Sequence, residues 1–359
     1  MTETAHLGNQ QRRTSGTGVS AGEKGPGVVA LFATFPPANT MLQPCTFADL
    51  KKREGPPLNA WGLFGADNEY GCLNFITDVA VKRGRDSVQH GLPINLNLPL
   101  TNFPPVNPKR GGCTHKILNY HNYMDDEVNF NTQCSTQWDG FRHVAYQNYP
   151  EGSVTFHGGM TPEEAADPSN IKYGTGLFAK KPITTRGILL DIPRWLVKKG
   201  LPPLDPLTQK TPITLEMLKG CAADQAVKFA PGDVLIVRSG WTEAFLALTD
   251  EERAEYNPLL GCIGVQASEE VMEWHWENGF AAVAGDQFAY ESWPPNIPKE
   301  LAIHEVFLSG WGCPLGELWD LRELSAKCAE LNQYTFFLTT MALNIDAGIG
   351  TPVNGQAIL

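Results

Sequence analysis

The sequence predicts an α/β protein with a mixed sheet, and three observations carry that expectation. Near-continuous apolar runs at Gly187 to Ile192, Val234 to Val237, Phe280 to Ala284 and Tyr334 to Met341 have the length of buried strands. Ile94, Leu96 and Leu98 alternate with asparagine, the pattern of a strand with one solvated face. Helix starts fall between several of these runs.

The elements follow in chain order. Residues 1–45 offer little to pack: Gln10-Gln11-Arg12-Arg13, glycine and serine around 15 to 28, and Pro36-Pro37 read as a flexible leader. The short apolar piece Val28 to Ala33 is too brief for a signal sequence, though Arg12 and Arg13 leave room for a weak mitochondrial leader. Residues 46–359 read as a single domain. Thr161-Pro162-Glu163-Glu164 starts a helix with a hydroxyl cap, a proline in the first turn and an acid at the third position. Ser268-Glu269-Glu270 starts another that Gly279 stops, and Asp320 with Glu323 repeats the cap logic. Pro202-Pro203, Pro294-Pro295 and Pro298 mark rigid loops.

The chemistry concentrates in Asn131 to His143. If residues 133 to 139 are extended, Gln133, Ser135, Gln137 and Asp139 line one face, with Trp138 turned to the core and Phe141 beyond. His143 follows Asp139 by four positions, within reach if the chain turns helically. The same residue types also build exposed strand faces and capping turns. An aromatic opposite face favours a strand that borders a cleft.

This segment resembles the signature of the cyclase superfamily that includes bacterial kynurenine formamidase and isatin hydrolase, His-x-Gly-Thr-His-x-Asp-x-Pro-x-His. Thr136, Asp139 and His143 match it. Gln133 and Gln137 stand at the two histidines, Ser135 at the glycine and Phe141 at the proline. The resemblance runs from about Ala60 to the C-terminus. It takes in Trp61 to Asp67 with Gly71 to Asn74, the runs at Gly187 and Gly232, His304 followed by Glu317, and Leu343 to Asn354.

What the resemblance implies is a layered β/β/α fold, often dimeric, in which motif residues and a later His and Glu hold one or two divalent ions. By position Asp139, His304 and Glu317 are the metal ligands, and His143, with Asp139, is the acid/base. Trp61 and Phe64 either face the substrate or simply pack. A glutamine offers a weak amide oxygen where imidazole suits zinc, so a dinuclear zinc site is not expected. One ion (manganese, zinc or magnesium) fits the remaining ligands, with Gln137 favouring manganese or magnesium.

The expected function is a hydrolase that opens a small amide or lactone, or closes the ring in reverse. Two alternatives stay open. One is a metal-independent cyclase or isomerase of a polyketide-like secondary metabolite, in which Gln133 and Gln137 bind a substrate carbonyl; the other is a non-catalytic small-molecule binder. No organic cofactor is expected, since no phosphate-cradling Gly-x-x-x-x-Gly-Lys segment occurs. His115 and His121 with Asp125, Asp126 and Glu127 read as a polar surface loop before a second metal site, and His157 reads as a cleft-rim residue.

Composition sets the remaining bounds. A net charge of -11 disfavours nucleic acid, and no apolar run approaches the roughly 20 residues that span a bilayer. The 8 cysteines form no Cys-x-x-Cys pair, which points to reduced thiols and a cytoplasmic protein. The partners expected are a small-molecule substrate and further copies of the chain.

Overall fold

The computed structural model describes residues 44–359 apart from 102, 105, 108, 209 and 296–300. The leader expected at the N-terminus and Pro298 therefore lie outside the described residues, save for residues 44 and 45. The described residues all belong to one compact unit, Ala38–Leu359.

Among the described residues eleven strands form in chain order: β1 (Pro93–Asn95), β2 (Thr114–Asn119), β3 (Met124–Asn129), β4 (Gln137–Asp139), β5 (Thr184–Asp191), β6 (Val234–Arg238), β7 (Ala282–Gly285), β8 (Leu315–Glu317), β9 (Thr335–Thr339), β10 (Gly350–Pro352) and β11 (Gln356–Ile358). Nine of them make one sheet in the order β1-β11-β9-β5-β6-β7-β8-β4-β10. The block from β5 to β8 is parallel and both flanks are antiparallel, so the mixed α/β architecture read from the sequence is the one that forms.

The parallel block is the core because its apolar runs are covered on both faces. Ile188, Leu189, Leu190, Val234, Leu235, Ile236, Val237, Ala282, Val283 and Ala284 are fully buried. Burying an aliphatic side chain of this size stabilises by about 1.5–3 kcal/mol. The helices Ile192–Lys199 and Leu215–Asp224 bridge β5 to β6, and Glu269–Asn278 leads into β7. β9 alternates instead, with Phe336 and Leu338 buried and Phe337 partly exposed, so that run is half-buried and not continuous core.

Caps behave largely as their chemistry dictates. Thr161 and Glu164 close a reciprocal capping box, and Ser268 caps a helix that Gly279 ends in the left-handed conformation, at φ 65°. A side-chain cap of this kind contributes about 1 kcal/mol. Asp320 stands one residue ahead of the cap position, which Leu321 takes in the helix Arg322–Leu331, yet its Oδ1 accepts the amide of Arg322 at 3.3 Å while its Oδ2 pairs with the Arg322 guanidinium at 2.7 Å.

His115 and His121 lie on an exposed two-stranded hairpin, β2 with β3, and not on an irregular loop. There His115 pairs with Asp126 at 2.9 Å. Among the described residues no helix is long and apolar enough to cross a membrane. All 8 cysteines are free thiols.

Candidate active site

The segment that carries the motif is not one extended strand. Asn131 accepts the amide of Gln133 on its side-chain oxygen at 2.9 Å and the amide of Cys134 on its carbonyl at 2.9 Å, which folds residues 131–134 into a turn. Only Gln137–Asp139 is strand, fully buried between β8 and β10. The single polar row expected from alternation is therefore replaced by a turn and a short strand.

The turn gives each polar side chain its own task. Ser135 donates to the carbonyls of Leu98 and Pro99 at 3.4 and 3.3 Å, and Thr136 donates to the carbonyl of Leu318 while accepting the amide of Leu98 at 2.8 Å. These bonds lock the motif to the segment that follows β1 and to the residue after β8. Trp138 is fully buried edge-on against Trp319, with ring centroids 5.0 Å apart. Cys134 is buried, which pushes its thiol pKa up and leaves it a packing residue.

Four segments then converge. Asp139 comes from β4, Glu317 from β8, and His143 from the turn after β4, where its amide bonds the carbonyl of Gly140 at 3.0 Å. His304 immediately precedes a wholly buried π-helix, Glu305–Trp311. Such wide-pitched helices often mark functional positions. This one also clamps the chain beyond His143: Ser309 donates to the carbonyl of Val144 at 2.6 Å, and Glu305 accepts the amide of Gln147 at 2.6 Å.

His304 Nε2 lies 3.0 Å from Glu317 Oε1 and 3.6 Å from Asp139 Oδ2. The second distance is too long for a hydrogen bond and leaves only attraction between charges. His143 Nε2 lies 3.8 Å from the same Asp139 Oδ2, which is buried without a hydrogen-bond partner. Asp139, His304 and Glu317 each present a ligand atom within 4.8 Å of the others.

Two further layers hold the group. Glu291, fully buried, accepts both the backbone amide of His304 at 3.1 Å and its Nδ1–H at 2.5 Å, which fixes the ring with Nε2 toward the acids. Gln133 donates to Asp139 Oδ1 at 2.6 Å, and Gln137 donates to Gln133 Oε1 and Glu317 Oε2, both at 2.8 Å. The glutamine amides thus orient the two carboxylates. Of these two glutamines' amide oxygens, Gln137 Oε1 is the one left buried and unbonded.

Charge and burial compete at every member. Burial alone would raise the Asp139 pKa, but His143, His304 and the Gln133 amide together bring it below its ordinary value. Burial and the Asp139 charge raise Glu317 to about 7 against the pull of His304 and Arg110. Burial opposes protonation of His304, yet Glu291, Asp139 and Glu317 raise it well above the usual imidazole range. His143 is lowered by burial and by Arg110 and His304, partly offset by Asp139. It is the member with an opening to solvent, with 19% of its side chain exposed.

The donor set fits one divalent cation. Two carboxylates and an imidazole whose other nitrogen is anchored by an acid form a common ligand set, and an orphaned carboxylate oxygen at the centre is the atom a cation would satisfy.

Trp61 and Phe64 are held by packing contacts. The Trp61 indole N–H donates to the carbonyl of Ser309 at 2.7 Å, and Phe64 lies edge-on to Phe75 at 5.4 Å. His157 is buried and not at a rim: its Nδ1 lies 2.9 Å from the Ser309 carbonyl oxygen and its ring meets Tyr173 and Phe141. Sequence reasoning missed Glu291. Its one signal was a lone acid in the otherwise apolar and aromatic stretch that follows Asp286.

The Cyclase family model, described as "Putative cyclase", matches residues 85–292, more than half of the chain. The chain belongs to the cyclase family. A solved structure described as a novel cyclase shares 29% identity with it at a TM-score of 0.72, covering 84% of this chain and 99% of that one. Isatin hydrolase A from Labrenzia aggregata, bound to benzyl benzoate, is 12% identical at a TM-score of 0.49, covering 76% of this chain and 94% of its own. Isatin hydrolase A from Ralstonia solanacearum is 13% identical at 0.48, covering 78% and 95%. No curated protein matches the chain. As a member of the cyclase family, the protein keeps the motif threonine, aspartate and final histidine at Thr136, Asp139 and His143, and carries glutamines at the two earlier histidine positions.

Proposed function

We propose that the protein is a hydrolase that opens a small amide or lactone, or runs the reverse ring closure, with His143 as acid/base and Asp139, His304 and Glu317 holding one divalent ion. The observation that carries this reading is the convergence on Asp139 Oδ2, an unbonded buried oxygen flanked by His143 Nε2 at 3.8 Å and His304 Nε2 at 3.6 Å. A divalent ion held there supplies Lewis acidity toward a carbonyl and toward water.

The chain's own groups supply the rest. Burial, with the Arg110 and His304 charges, lowers the His143 pKa from its ordinary value, which favours the uncharged ring whose Nε2 accepts a proton from the attacking water. The resulting imidazolium is stabilised by Asp139 and returns the proton to the leaving nitrogen or oxygen. Glu291 holds His304 Nδ1–H and so presents the Nε2 lone pair inward. Gln133 and Gln137 keep Asp139 and Glu317 aimed at one point.

A second reading is favoured by one observation. His304 has three acids to keep it protonated, so an imidazolium can itself supply the positive charge at the centre, as a metal-independent cyclase or isomerase would need.

The test is turnover on aryl formamides and lactones. His143→Ala is expected to lower it roughly 10²- to 10⁴-fold with an unchanged circular dichroism spectrum, and near-normal turnover would discard the assignment. Chelation followed by Mn²⁺ or Zn²⁺ should abolish and restore activity. Full activity in protein that mass spectrometry finds metal-free would turn the reading to the second form.

A further inference from the structure

We propose that Arg110 is the recognition residue for an anionic group on the substrate, and that the site acts on amides or lactones carrying a carboxylate beside the bond that reacts. This rests on the hydrolytic reading above and names its substrate class.

The geometry starts from Phe288. It is buried, and its neighbour Gln287 accepts the amide of Leu318 on its carbonyl oxygen at 3.2 Å, one residue from Glu317. The Arg110 guanidinium lies 6.0 Å from the centre of the Phe288 ring. An aromatic face at that range supports a guanidinium without occupying its hydrogen-bond donors. Arg110 is near enough for its charge to act on both His143 and Glu317.

Arg110 is also unengaged. Its backbone amide bonds the carbonyl of Asn107 at 3.0 Å, but among the described residues its side chain has no ion pair and no hydrogen bond. Other half-buried arginines are committed: Arg83 and Arg186 to Asp233, Arg238 to Asp191 and Glu243, and Arg142 to the carbonyls of Ala165 and Asn170.

Asp139, Glu291 and Glu317 make the centre acidic, so a neutral substrate needs no arginine at its mouth. An anionic one does. The planar fork of a guanidinium accepts a carboxylate through two parallel bonds, which would fix both the position and the rotation of the substrate.

The experiment compares 2-formamidobenzoate with formanilide, which lacks the carboxylate, in the full chain and in Arg110→Gln and Arg110→Lys. The ratio of their kcat/KM values is expected to fall roughly 10- to 100-fold in Arg110→Gln, chiefly through KM of the carboxylate substrate, with partial recovery in Arg110→Lys. Calorimetric titration with benzoate and benzamide reads binding without turnover, and benzoate alone should weaken about tenfold or more in Arg110→Gln. An unchanged ratio, an equal loss on both amides, or no Arg110-dependent benzoate binding would overturn the proposal. If neither amide is cleaved while benzoate binding still depends on Arg110, the hydrolytic reading fails and the anion site stands. If both amides are cleaved with an unchanged ratio, the hydrolytic reading stands and Arg110 fails.

Discussion

Glu291 shows what a single buried acid does for a site it would not itself enter. By accepting Nδ1–H of His304 it selects the tautomer and the ring orientation, and it raises the basicity of Nε2. Glu291→Gln removes the charge while keeping the shape, and is expected to weaken divalent-ion affinity roughly 10- to 100-fold. A competition titration against a fluorescent chelator checks this, and unchanged affinity would mean that His304 is oriented by something else. Asp139 and His143 were legible in the sequence because the motif ties them to fixed positions, and His304 and Glu317 because the family resemblance extends to them. Glu291 and Arg110 were not. A hydrogen-bonded partner needs proximity in space and no particular spacing along the chain, so the separation of 13 positions from Glu291 to His304 carries no periodic signal.

At the scale of elements, β4 depends on its neighbours for its geometry. β10 pairs with it in antiparallel register, Gly350 opposite Asp139 and Pro352 opposite Gln137. A Cβ on Gly350 would come within 2.4 Å of Gln133 Nε2, the atom that holds Asp139 Oδ1. Gly350→Ala is therefore expected to leave the fold intact, since the tip of one side chain can move, but to swing Gln133 off Asp139 and cut turnover about tenfold, the worth of roughly one charge-assisted hydrogen bond. Unchanged kcat with Ala at this position would show that Gln133 does not orient Asp139 during catalysis. Buried strands and the caps at Thr161 and Ser268 were readable because each rests on a local rule. The extended reading of 133–139 failed because Asn131 offers side-chain and carbonyl acceptors to the next turn, and local polar bonding won over alternation. Asp320 was off by one position: Leu321 takes the cap, and Asp320 accepts the amide of Arg322 while pairing with its guanidinium.

For the whole molecule, protonation and cation binding are linked. The Glu317 pKa in the fold is about 7, above the ordinary 4.5, so the fold favours its protonated form. Its contribution to stability is therefore complete below about pH 4.5 and is lost as pH rises through 7. A divalent cation would take the place of that proton and compete poorly with it in acid. Mn²⁺ or Zn²⁺ is accordingly expected to raise Tm little at pH 5 and several degrees at pH 8, read by differential scanning fluorimetry. His157 and His275, both held near pKa 4 by burial, titrate alike with and without the ion and cancel from the difference. Equal gains at both pH values would exclude Glu317 as a ligand.

The placement of β4 between β8 and β10 has a consequence for the newborn chain. A ribosome delivers Asp139 and His143 early, yet both edges that flank them belong to segments translated much later. Until those arrive, the carboxylate has no walls and His304 is not yet made. The nascent polypeptide must carry β4 without either of its sheet neighbours until β8 and β10 have emerged, so the candidate site cannot assemble before the end of synthesis is near.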